Sequence, residues 1–200
     1  AAVCLLVRLF AGDMIFAAST PLGSNFMNPL LLITAALLRL SFRAILSTRP
    51  GYSLLTIGVT AFLAGTFFLL KPQNYLGWCI IGLVTTLPLF MFRPQETGED
   101  TPEPHSFQPH LWLVPAILVV TVAGYFLDPV VTYTAHHSNA PKGVIGFVVL
   151  ATLTSWPEFK SCLSLFKRGK VLAAILNITV SNITNIWLAI VGTAAFLLNR

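Results

Sequence analysis

Gly12-Asp-Met-Ile-Phe-Ala-Ala-Ser-Thr-Pro-Leu-Gly-Ser-Asn-Phe-Met-Asn28 and Gly169-Lys-Val-Leu-Ala-Ala-Ile-Leu-Asn-Ile-Thr-Val-Ser-Asn-Ile-Thr-Asn185 decide how this chain folds. Aligned without a gap, Gly12 meets Gly169, Ala17 meets Ala174, Ser24 meets Ser181, Asn25 meets Asn182 and Asn28 meets Asn185, always 157 positions apart. Both copies run directly into apolar sequence, Pro29–Leu38 and Ile186–Ala195. Ser and Asn inside apolar helices are expensive in lipid, so a repeated set of them points to a shared site.

Composition sets the environment of these helices. Hydrophobic residues make up 56% of the 200 and charged residues 10%, with a mean hydropathy of +0.80. Soluble domains carry about a quarter charged residues, so the reading is an all-α polytopic membrane protein, with the lipid bilayer as its first partner. The net charge of +5 is scattered through loops and argues against a nucleic-acid partner. Cys4, Cys79 and Cys162 lie singly in apolar segments, without the spacing of a disulfide framework or a metal site. No cofactor is expected. The chain does not begin with Met and reads as a piece of a longer protein.

Apolar stretches long enough to cross a bilayer, roughly 17–25 residues each, follow one another along the chain. Ala1 to about Leu9 reads as the tail of one helix. The next are Met14–Leu38, Leu54–Leu70, Tyr75–Phe92, Leu111–Val131, Val144–Leu165 and Val171–Leu198. Residues 93–110 hold Glu96, Glu99, Asp100 and Glu103 among several prolines, and predict a disordered cytoplasmic linker. The expected domains are therefore a first membrane half at 1–92, the linker at 93–110 and a second membrane half at 111–200. Arg39, Arg43, Arg49, Arg93, Lys167, Arg168 and Lys170 fall on one side, which the positive-inside rule makes cytoplasmic. The two repeat helices are five spans apart and so cross in opposite directions. That is an inverted repeat, an architecture common among secondary transporters.

The second half adds Thr154-Ser-Trp-Pro-Glu158. Glu158 is the one acidic residue deep in any of these spans, whereas Asp13 and Asp128 fall near span ends. A carboxylate in hydrocarbon is a functional-site hypothesis by default. Pro157 donates no backbone N–H, so the preceding turn is disturbed and carbonyls are freed. Thr154 precedes Glu158 by one turn, and the same spacing joins Ser24 to Asn28 and Ser181 to Asn185. Hydroxyl, amide and carboxylate oxygens are hard ligands suited to Ca²⁺ or Na⁺.

Plainer roles compete for several of these positions. Ser and Asn commonly hold membrane helices together, and for Asn25 and Asn182 helix packing is the preferred reading. Asn177-Ile-Thr and Asn182-Ile-Thr match the glycosylation pattern but lie inside a span. His136 and His137 read as a solvated extracytoplasmic loop, and Gly58 and Gly65 as points of close helix contact.

Thr154-Ser155-Trp156-Pro157-Glu158, then Ser181-Asn182-Ile183-Thr184-Asn185, with Gly23-Ser24-Asn25-Phe26-Met27-Asn28 earlier, resemble the alpha-repeats of the cation/calcium exchanger superfamily. The likeness covers about a third of the chain by motif. It implies a fragment of an inverted-repeat transporter with two five-helix halves, exchanging Ca²⁺ for Na⁺ by alternating access. Glu158 would supply charge, and Thr154, Ser155, Ser24, Asn28, Ser181 and Asn185 the remaining oxygens. It also implies a multi-pass protein of a plasma or inner membrane, and no enzyme. There are three departures from the pattern. The repeat offset carries Glu158 onto Ala1, so a first-repeat acid is expected upstream or is missing. Val180 stands where the motif has glycine. Lys160 lies two residues beyond Glu158 and is expected to face away from it and snorkel. A proton/calcium antiporter and a non-transporting membrane scaffold are the alternative readings.

Overall fold

The computed structural model describes residues 14–95 and 109–198. Ala1–Leu9, Asp13 and most of the acidic linker lie outside them. The two repeat segments form the central helices, α1 (Met14–Leu38) and α9 (Val171–Leu198). At 1.5 Å per residue these reach roughly 38 and 42 Å, enough to cross a hydrocarbon core of about 30 Å. Their ends coincide with the apolar stretches read from the sequence.

α1 and α9 run antiparallel. Ala18 and Leu22, early in α1, share a cluster with Ile186, Ala189 and Ile190, late in α9. Leu32, Ala35 and Ala36 instead pack with Ala174 and Ile178. Between the two clusters, Asn182 Nδ2 donates to the Asn25 carbonyl at 3.3 Å. Residues at the repeat offset therefore touch where the helices cross, as an inverted pair requires.

Around this pair stand α2 (Phe42–Ser47), α3 (Pro50–Phe67) and α4 (Tyr75–Met91), whereas α5 (Pro109–Ser138) lies apart from it, its Val131 packing with Ile145 and Leu150. α3 begins four residues before the apolar stretch does, because Pro50 occupies a first-turn position and Arg49 before it is left-handed. Ser53, Thr56 and Thr60 give α3 a buried polar seam. Its outer face carries Leu54 and Phe62, 70% and 71% exposed. The arrangement inverts that of a soluble protein: Asn25, Asn28 and Asn182 are fully buried while leucines and phenylalanines cover the outside. Trp78 Nε1 donates to the Leu63 carbonyl at 2.9 Å, and Trp187 Nε1 to Thr86 Oγ1 at 2.8 Å, tying α4 to α3 and to α9. Among the described residues four helices are long and apolar enough to cross a membrane.

Two expectations are corrected here. α5 continues to Ser138, so His136 and His137 lie on its last turn and not in a loop. The helix stops only at Asn139, which takes a left-handed conformation two residues before Pro141. Apolar character ends earlier than the backbone signal does. Gly58 and Gly65 are likewise no contact points: a methyl group at Gly58 would meet nothing within 4 Å, and one at Gly65 only the Phe26 ring edge at 3.8 Å.

Candidate functional site

The span that carries Glu158 is broken. It consists of α6 (Lys142–Ile145), a π-helical turn (Gly146–Leu150), α7 (Ala151–Thr154) and α8 (Trp156–Lys167). Ser155 sits at the break with φ −88° and ψ −1°, and Pro157 lies in the first turn of α8. Because Pro157 has no N–H, the Leu153 carbonyl loses its helical donor. Glu158 follows in that same first turn, where the free N–H groups and the helix dipole favour a negative charge. α8 ends at a left-handed Gly169, φ +72°. There Lys170 N–H donates to the Leu165 carbonyl at 2.9 Å and Gly169 N–H to the Phe166 carbonyl at 3.1 Å. That turn sends α9 back alongside α8 and brings Ser181 to Glu158.

Ser181 Oγ donates to Glu158 Oε1 at 3.1 Å, and Asn28 Nδ2 donates to Ser181 Oγ at 3.3 Å and to Asn182 Oδ1 at 2.9 Å. A hydrogen-bonded line thus runs from α8 through α9 to α1. Ser24 and Thr154 meet separately, hydroxyl to hydroxyl at 3.4 Å. Each also has a helix carbonyl to donate to, Thr20 at 3.1 Å for Ser24 and Leu150 at 2.8 Å for Thr154. With both protons on carbonyls, lone pairs remain on the facing side. Among the described residues five buried side-chain oxygens have no hydrogen-bond partner: Glu158 Oε2, Ser155 Oγ and Asn28 Oδ1 from the residues chosen for the site, and Asn25 Oδ1 and Thr56 Oγ1 besides. Unpartnered buried oxygens are costly, and a cation is one group that satisfies them.

The residues chosen from sequence do not all converge equally. Glu158, Ser181 and Asn28 form one connected group, and Ser24 and Thr154 another pair. Ser155 is buried one turn before Glu158. Asn185 is buried one turn beyond Ser181 but takes part in none of these hydrogen bonds. Asn182, read as packing, does bridge helices, donating to the Asn25 carbonyl and, at 3.5 Å, to Thr60 Oγ1. It also accepts from Asn28, a role the sequence did not disclose. Its full burial excludes it as a glycan acceptor. Asn177 Nδ2 lies 3.5 Å from the Glu158 carbonyl, another contact missed in sequence.

Lys160 is on the exposed side of α8, away from the half-buried Glu158.

Residues 109–199 match the family model described as sodium/calcium exchanger protein. Neither the curated proteins nor the solved structures that were compared give a match. The matched region contains the broken helix with Pro157 and Glu158, and α9 with Ser181 and Asn185. Over residues 109–199, somewhat under half of the chain, the protein is similar to the sodium/calcium exchanger family, which is consistent with the cation/calcium exchanger superfamily.

Proposed function

We propose that the protein is an antiporter that exchanges Ca²⁺ for Na⁺ by alternating access, using the oxygen cluster between α1, the broken helix and α9. The observation that carries this reading is that three of the five buried oxygens without partners among the described residues, Glu158 Oε2, Ser155 Oγ and Asn28 Oδ1, belong to the break in the backbone and the hydrogen-bonded group beside it. Hard oxygens at a helix break are what a dehydrated Ca²⁺ or Na⁺ needs. In this reading Glu158 provides charge, Ser155 and Asn28 add neutral oxygens, and Ser24 with Thr154 offers a second pair. Ser181 holds the carboxylate, and Asn185 completes the shell during the movement between access states. The halves 1–92 and 111–200 each contribute one repeat helix, with the segment 93–110 joining them on the cytoplasmic side.

Ca²⁺ and Na⁺ compete for the same oxygens, so a gradient of one drives the other. With the protein in proteoliposomes, an imposed Na⁺ gradient at fixed pH is expected to move radiolabelled Ca²⁺, and a proton uncoupler to have little effect. Ca²⁺ movement that follows only a pH gradient would make this a proton/calcium antiporter, with Glu158 as the proton carrier. Movement under neither gradient would favour the scaffold reading.

A further inference from the structure

We infer that Asn182 is a positioning residue, which fixes the Asn28 carboxamide so that its oxygen faces the transported cation. The inference rests on the site proposed above and adds what sets the orientation of one ligand. An Asn side chain can present either its oxygen or its nitrogen, and only its neighbours decide which. Here the choice can be followed from a group that has none. The Asn25 backbone carbonyl only accepts, so the Asn182 atom 3.3 Å from it must be the NH₂. Thr60 Oγ1 gives its proton to the Thr56 carbonyl at 2.8 Å, so toward Asn182, 3.5 Å away, it too can only accept.

The nitrogen end of Asn182 is therefore committed, and its oxygen must face Asn28. Asn28 answers with its own NH₂ at 2.9 Å and uses the same group toward Ser181 Oγ at 3.3 Å. Its Oδ1 is left buried and unpartnered. A backbone carbonyl on α1 and a threonine on α3 thus determine, through Asn182, that Asn28 presents an acceptor. Asn25, Asn28, Thr60 and Asn182 are each fully buried, so water cannot scramble the order.

The test is a double-mutant cycle read by Ca²⁺-dependent thermal stabilisation of the detergent-solubilised protein, which reports binding whether or not transport survives. Asn182→Leu in the native background is expected to raise the Ca²⁺ concentration for half-maximal stabilisation about tenfold, as the loss of one oriented hydrogen-bonding group would. In an Asn28→Asp background the same substitution is expected not to raise it, because a carboxylate offers an oxygen whichever way it turns and loses no donor–acceptor bond when the Asn182 oxygen facing it is removed. Thr60→Val, which removes only one acceptor, is expected to act in the same direction and more weakly, with Thr60→Ser restoring the native value. Equal shifts in both Asn28 backgrounds would reduce Asn182 to helix packing and overturn the inference, as would no shift in the native background. Glu158→Gln serves as the control. If that variant still shows Ca²⁺ stabilisation at the native concentration, the site itself is misplaced, which is a separate failure.

Discussion

Replacing Glu158 with Gln is expected to abolish Ca²⁺ uptake in proteoliposomes while expression and thermal stability remain near wild type. Gln preserves the shape and still offers an oxygen to Ser181 Oγ, which donates to Glu158 at 3.1 Å. The lost feature is charge. Two unit charges about 4 Å apart attract by about 4 kcal/mol at an effective dielectric of 20, and a divalent ion gains at least that much. The corresponding loss in affinity is about a thousandfold, beyond the reach of raised Ca²⁺ in the assay. Among the described side chains no other carboxylate lies in the membrane helices. Uptake at the wild-type rate in this variant, with protein levels matched, would remove Glu158 from the transport site.

Gly23→Ala should be the most damaging small substitution in the first repeat. A Cβ at Gly23 would run into the Phe147 carbonyl oxygen and lie 2.9 Å from Ala151 Cβ. The first of these belongs to the backbone of the π-helical turn and cannot rotate away. α1 must then back off from the broken helix, which separates Ser24 from Thr154 and loosens every contact below it. Overpacking of this kind costs about 1–3 kcal/mol or more. The melting temperature in detergent is expected to fall by several degrees, and uptake with it. Gly58→Ala is the matched control: its Cβ meets open space, and a helical Gly→Ala change gains roughly 0.5–1 kcal/mol. A Gly23→Ala protein as stable as the Gly58→Ala protein would show that α1 and the broken helix can separate without penalty.

The repeat helices were legible in the sequence because each is a long apolar run whose ends carry their own signals. Val171 follows a Gly169 turn, and Leu38 precedes a basic segment. The break at Ser155 was legible through Pro157, since a missing N–H is a local fact. The π-helical turn just before it was not, because an extra residue in a helical turn leaves no signature in Gly146–Leu150 that periodicity can read. The short α2 within the basic segment escaped for a related reason, being six residues without apolar continuity. Gly58 was misread because small residues in membrane helices usually mark contact, while here the facing groove is open. For the candidate site, residue types and their spacing picked out Glu158, Ser181 and Asn28. They could not reveal which Asn orients which. That depends on a threonine of α3 about 120 residues away from Asn182, a distance only tertiary packing can close.

Asn25 and Asn182 are duplicates that meet each other at the crossing of the repeats, yet their side chains are engaged differently. Asn182 sends its amide across to the backbone of Asn25, whereas Asn25 sends its own to the Thr60 carbonyl on α3 at 3.4 Å. A symmetric exchange would send the amide of each copy to the backbone of the other, but the Asn25 amide is turned to Thr60. One copy becomes the giver and the other the receiver. Identical letters at the two positions therefore carry no promise that they tolerate the same replacements.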